Sequence, residues 1–239
     1  MRRIPGWAGW LLALAVACGF VALGRWQLDR AEQKRQMLAQ VAQVIARRRP
    51  VAIAAAADPA RARGYDWTRA AGRFAPGPAL LLDNQVRDER LGVHAYRVFL
   101  PEPGPPLLVD LGWLPLPVER RLPAVPVPAG RQVLSGLLAP PPAPGLLGRS
   151  TPQAKDGQWL ALGVVPADLA GLLHQPGLAP RVLRLDPALP LGYPRDLDVL
   201  PNTLPPERHL GYAVQWFALA AAVLATATVL AVRRRTRAS

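Results

Sequence analysis

The sequence predicts an α+β membrane protein in which two transmembrane helices flank a periplasmic antiparallel β-barrel or sandwich-like domain. Three observations predict it. From Leu210 to Val232 there is no charged residue, and at about 1.5 Å per residue that run crosses the roughly 30 Å hydrocarbon layer of a bilayer. Trp7 to Leu23 is likewise apolar throughout. Between the two runs, short apolar stretches are punctuated by many of the chain's 28 prolines and 20 glycines. Such punctuation interrupts helices and favours short strands joined by turns. A chain of 239 residues has room for one sizeable domain beside its membrane spans.

The first run opens on Met1-Arg2-Arg3 and carries Trp7 and Trp10 at its start and Trp26 at its end, where aromatic rings collect at membrane interfaces. A basic lead and an apolar run also fit a secretory signal peptide, cleaved near Ala15–Gly19, but no turn-and-cleavage pattern follows. The chain continues Gly24-Arg25-Trp26-Gln27-Leu28-Asp29-Arg30, and Leu28, Leu38, Val41 and Ile45 keep an approximate helical spacing. The favoured reading is an uncleaved anchor over about residues 5–24 whose helix projects to about Arg47, giving an N-terminal unit of residues 1–47.

Residues 48–203 form the β-rich domain. Strands are expected over Asp66–Phe74, Ala79–Asn84, Val93–Leu100, Leu107–Leu114, Gln132–Leu138, Trp159–Leu162 and Val182–Leu185, each bounded by Pro, Gly or Asx residues. Asp83-Asn84-Gln85 is expected as a turn, Ala139–Gly145 as a Pro-rich loop and Pro166–Gln175 as a short helix opened by its proline. In the C-terminal unit, residues 204–239, Pro205 and Pro206 open a helix that spans about residues 208–232, and Arg233, Arg234 and Arg235 stop it. Two spans place both termini on one side. Arg2, Arg3, Arg233, Arg234, Arg235 and Arg237, with no acid among them, set both tails in the cytoplasm. The middle domain then faces the periplasm of a bacterial inner membrane, since no transit peptide precedes the anchor.

The formal net charge of +13 taken alone suggests a nucleic-acid partner. The basic residues are spread along the chain, however, and a membrane protein with an Arg-rich tail gives the same total. The lipid bilayer is the predicted partner, and nucleic acid is not. Cys18, the single cysteine, closes no intramolecular disulfide and excludes a Cys-based metal or exchange mechanism. With one Cys, two Met and three scattered His, the chain lacks the soft-ligand cluster of a copper carrier and the ligand set of structural zinc. It offers no Gly-x-Ser-x-Gly turn and no phosphate-binding Gly loop. Ser135 reads as a strand residue, and nothing in the sequence pairs Asp83 with Asp110. No catalytic motif is present.

The helix ends carry the remaining chemistry. On the second helix His209, Tyr212, Ala213 and Trp216 follow an i, i+3, i+4, i+7 spacing and share a face. On the first, Trp26 and Arg30 share a face just outside the membrane. An imidazole beside aromatic rings and cationic groups suits a haem: His on iron, rings on the porphyrin, Arg on the propionates. An ordinary interfacial belt of His, Trp and Tyr fits the same residues.

Those residues also carry a resemblance. The motifs Gly24-x-Trp26-Gln27-x-x-Arg30, Leu108-Val109-Asp110-Leu111-Gly112-Trp113-Leu114-Pro115 and His209-Leu210-x-Tyr212-Ala213-x-x-Trp216-Phe217, in that order, resemble the Surfeit locus protein 1 family of cytochrome c oxidase assembly factors. Asp83-Asn84-Gln85, then Gly92 and Pro101, fit the family pattern too. The resemblance implies a non-enzymatic factor that binds haem a and helps mature oxidase subunit I, with haem a synthase as a further partner. It places the haem-associated histidine on His209, and the Trp and Arg after the first anchor on Trp26 and Arg30. The pattern departs at Glu207-Arg208, where the family often has Asn. His94 and His174 match no family motif and are expected on a strand surface and at a helix end. A cofactor-free scaffold, steadying subunit I through the β domain and Trp113, is the alternative.

Overall fold

The computed structural model describes residues 6–142, 151–200 and 204–236. Arg2, Arg3, Arg237 and the end of the expected Pro-rich loop from residue 143 onward lie outside the described residues. The chain forms two compact units, Met1–Ala39 with Thr203–Ser239, and Gln40–Asn202.

Helix α1 (Gly6–Arg47) has 42 residues, about twice the length a bilayer core requires. Its last turns belong to the second unit, where Val41, Val44 and Ile45 pack with Leu137, Ala139, Tyr65, Leu197 and Val199. The helix ends at Arg48, whose φ of 43° is left-handed. Arg48 donates its N–H to the Val44 carbonyl at 2.9 Å, and Pro50 bars any continuation.

The strands that follow are β1 (Pro50–Val51), β2 (Asp66–Phe74), β3 (Leu80–Arg87), β4 (Arg90–Pro101), β5 (Leu107–Pro115), β6 (Gln132–Ala139), β7 (Gln153–Lys155), β8 (Gln158–Ala161) and β9 (Val182–Leu185). Two 3₁₀ turns (Ile53–Ala57 and Pro59–Arg61) lie between β1 and β2, and helix α2 (Pro166–Leu172) precedes β9. Among the described residues the nine strands belong to one sheet in the order β1-β2-β6-β9-β5-β4-β3-β8-β7, and β2 also pairs with β4. The seven expected strands are present within a few residues, whereas β1 and β7 are too short to leave a periodic signal. The expected all-antiparallel pairing is corrected. β1–β2, β3–β8 and β5–β9 are parallel, so the sheet is mixed. Parallel partners arrive by long crossovers that leave no local turn signature.

The turn expected at Asp83-Asn84-Gln85 is a bulge inside β3. The register with β4 shifts between Leu82 and Gln85, and Asn84 takes up φ 60°. The hairpin turn itself falls at Asp88-Glu89, with φ 48° and 59°, the left-handed pair that a tight two-residue turn requires. The Asp83 carboxylate accepts the Asn84 N–H at 2.7 Å and pairs with Arg120 at 3.1 Å.

Both faces of the sheet are covered. Leu81, Val93, Phe99, Val109, Leu111 and Leu183 point to one core, while Leu80, Leu82, Tyr96, Val98, Leu108 and Val182 point to the other, closed by Val164 and Leu169 around α2. This explains continuous runs such as Leu80-Leu81-Leu82, because successive strand residues face opposite sides and each side is buried. The β2–β4 pairing brings Phe74 edge-on to Phe99, with ring centroids 5.2 Å apart. Gly72 permits it, since a Cβ there would lie 2.1 Å from the Leu100 carbonyl oxygen.

Two polar clusters tie the sheet internally. Arg181 is fully buried, pairs with Asp66 at 2.8 Å and donates to the carbonyls of Gly64, Leu138 and Ala55. Asp110 is buried in β5; it accepts from His94 Nδ1 at 3.0 Å and from the Gly112 N–H at 2.9 Å, with Arg184 Nε at 3.9 Å. His94 is therefore a half-buried partner of Asp110, a correction of its expected place on a strand surface. Trp113 is corrected likewise. Only 6 % exposed, it donates its indole N–H to the Gln85 carbonyl at 3.0 Å and offers little surface to a partner.

Burial alone would raise the Asp110 carboxyl, but the charge and hydrogen bond of His94, the Arg184 guanidinium and the Gly112 N–H hold it below the usual carboxylate range. The sign follows from linkage. A depressed folded pKa stabilises the fold above the ordinary value of 3.8, and that contribution is lost as pH falls through the folded value. Asp110→Asn is expected to cost about 1–3 kcal/mol at neutral pH. Thermal unfolding of parent and variant from about pH 6 to about pH 3 checks this, with the gap between them closing as the pH falls.

Candidate functional site

Helix α3 (Pro206–Thr236) begins at a proline, carries Glu207 in its first turn and ends on Arg233, Arg234 and Arg235, charges that suit the two ends of a helix dipole. It packs antiparallel to the membrane part of α1 within one unit. Phe20 meets Trp216 with ring centroids 5.5 Å apart. Gly24 faces Phe217 so closely that a Cβ would lie 2.7 Å from its ring. One turn on, Gln27 Oε1 lies 2.7 Å from His209 Nδ1. Two further turns on, the Lys34 ammonium donates to the Leu204 carbonyl.

His209 is 8 % exposed and shares its buried stripe with Ala213 and Ala220. Gln27 Oε1 has only lone pairs to offer, so Nδ1 carries the proton and donates it. That leaves Nε2 as a bare lone pair. Nε2 is buried and has no hydrogen-bond partner among the described residues. A buried polar atom left unsatisfied costs about 1–3 kcal/mol, which makes this nitrogen a candidate contact for a ligand. Because the atom is covered, a ligand reaching it displaces a neighbouring side chain. Among the described residues no three His, Cys, Asp or Glu side chains gather in one place. A ring nitrogen that acts alone suits a metal already held by a macrocycle better than a bare ion.

Of the other predicted site residues, Trp216 contacts α1 through Phe20, and Tyr212 flanks the stripe at 38 % exposure. Trp26, half exposed, lies under the Arg30 guanidinium at 5.9 Å, and Arg30 also donates to Gln33 at 3.1 Å. Trp26 and Arg30 hold each other; neither makes a hydrogen bond or ring contact with His209. Sequence reasoning overlooked Gln27 as a working residue. The signal was available: Phe20, Gly24 and Gln27 fall at i, i+4, i+7, one face of α1. A polar residue on that face next to a glycine invites a partner across the helix pair.

Two long apolar helices, paired antiparallel and flanking a mixed-sheet domain, define a membrane protein with one extramembrane domain. A model of the SURF1 family matches residues 14–221, a stretch that includes Gln27, the β domain and His209. The chain belongs to the SURF1 family, a family of cytochrome oxidase assembly factors and not a known enzyme family. No curated protein matches the chain.

The helix contact makes a prediction of its own. Gly24→Val drives a side chain into Phe217 and is expected to destabilise the pair by about 1–3 kcal/mol. Gly19→Val, where an added Cβ meets nothing within 4 Å, is expected to leave thermal unfolding in detergent unchanged.

Proposed function

We propose that this protein is an assembly factor of the bacterial inner membrane for haem-copper (cytochrome c) oxidase. In this reading it binds haem a at the head of α3 and assists its insertion into subunit I, with haem a synthase as the donor. Both termini lie in the cytoplasm and the β domain in the periplasm, as the basic tails favour. The observation that carries the reading is the buried, unpartnered Nε2 of His209, whose lone pair is presented by the Nδ1–Gln27 hydrogen bond.

His209 is the iron ligand in this reading, and haem supplies the metal to which that lone pair is donated. Gln27 holds the imidazole in one tautomer, the task a carboxylate or carbonyl performs behind many metal-bound histidines. Trp26, Tyr212 and Trp216 furnish apolar ring surface for the macrocycle, and Arg30 a cation for its propionates. Haem is cargo here, so a ligand set of one histidine suits binding that must later be reversed. Within the β domain, Asp110 and Arg181 lock the strands to one another.

The first experiment is an absorption spectrum of the detergent-purified full chain, co-expressed with a haem a synthase, beside its His209→Ala form. A haem band in the parent that vanishes in the variant is expected. A band that persists removes His209 as ligand. No band in either leaves the cofactor-free scaffold, in which case His209→Ala leaves oxidase yield intact and changes on the β surface lower it. Gln27→Leu, which frees the imidazole to turn, is expected to weaken haem retention about tenfold or more and to shift the band that remains.

A further inference from the structure

At the other end of the helix pair from His209, beyond the Phe20–Trp216 contact, α1 and α3 leave a groove of about 720 Å³ between them. Its walls are apolar side chains of mixed size, among them Gly9, Trp10 and Ala13 on α1 and Leu219, Ala227 and Ala231 on α3. The one hydroxyl in its lining, that of Thr226, already donates to the Ala222 carbonyl at 2.8 Å. The groove therefore offers no polar anchor along its length. At its end it is lined by Arg234 and Arg235. From Leu219 to Arg235 it runs along about 24 Å of helix, more than one leaflet of the roughly 30 Å hydrocarbon layer.

We propose that this groove is a binding site for one anionic phospholipid, with an acyl chain lying between the helices and the headgroup phosphate at Arg234 and Arg235. A groove of this size between closely packed helices does not stay empty in a bilayer, because lipid chains are as apolar as its walls. The basic mouth selects the charge of the occupant. Basic pockets between membrane helices on the side of the positive tails hold anionic headgroups in this way. A third helix is a poor fit. A neutral apolar helix leaves Arg234 and Arg235 at the mouth without an anionic partner. The site is independent of haem, as it shares no residue with the His209 cluster. It gives the apolar helix pair a specific lipid to close its open seam, where Gly24 and Phe217 close the other half directly.

Native mass spectrometry of the full chain released from nanodiscs of equal parts phosphatidylglycerol and phosphatidylcholine tests this. One retained phosphatidylglycerol per chain is expected. The Arg234→Gln/Arg235→Gln variant is expected to lose the preference for phosphatidylglycerol by about tenfold. Ala227→Leu/Ala231→Leu, which narrows the groove, is expected to lose most retention of either lipid. Should that variant not fold, Gly9→Leu/Ala13→Leu narrows the same groove from α1 and is read in its place. A parent that retains no lipid overturns the proposal. So does a preference that survives loss of both arginines, or retention undiminished by a narrowed groove, which would leave only a headgroup held by the tail. A polypeptide retained in place of lipid overturns it as well.

Discussion

The contact between α1 and α3 is the constraint on which the membrane unit depends. Lipid drives neither helix against the other, so their association rests on close packing and on polar groups that find partners across the seam. Gly24 against Phe217 supplies the first, and Gln27 against His209 the second. Each depends on the other. Without the glycine the backbones stay apart, and a separation of one side-chain radius leaves Gln27 short of the imidazole. The two contact residues on α1 lie three apart, one turn of the same face, so a single helix register satisfies both.

The same contact sets the chemistry. A histidine at the mouth of a membrane span is ordinary, and its usual fate is hydration at the interface. Here the imidazole is buried, Gln27 fixes the proton on Nδ1, and Nε2 has no partner among the described residues. That asymmetry distinguishes the two ring nitrogens. It arises from packing across a sequence separation of 182 residues.

The β domain meets a different difficulty. With apolar side chains on both faces of its strands, the sheet needs cover on both sides, and it obtains this by pairing β2 with β4 and by laying α2 over the outer face. The buried polar groups are placed where strands from distant parts of the chain meet. Arg181 binds carbonyls next to β1, β2 and β6, and Asp110 gathers donors from β4, β5 and β9. Each removed partner would leave a buried charge exposed to a low dielectric, which makes these clusters intolerant of rearrangement. Specific strand order follows from them as much as from apolar burial.

The two spans, their basic tail, and most strand positions were legible in the chain alone, because each depends on a local pattern: an uncharged run long enough for a bilayer, or an apolar stretch bounded by Pro and Gly. The family motifs were legible for the same reason. What the chain could not disclose was pairing. The parallel partners of β3, β5 and β2 come from strands reached by long crossovers, and β1 and β7 are too short to announce themselves. Asp83-Asn84-Gln85 has the composition of a turn, and only its partner strand turns it into a bulge while Asp88 and Glu89 make the bend. His94 looked like a surface residue until the register of β4 on β5 set it beside Asp110. Gln27 gained its partner His209 only when α3 returned to α1. Local order is written in neighbouring residues, whereas the partners of a buried polar atom are chosen by the tertiary fold, which alone decides what it will be buried against.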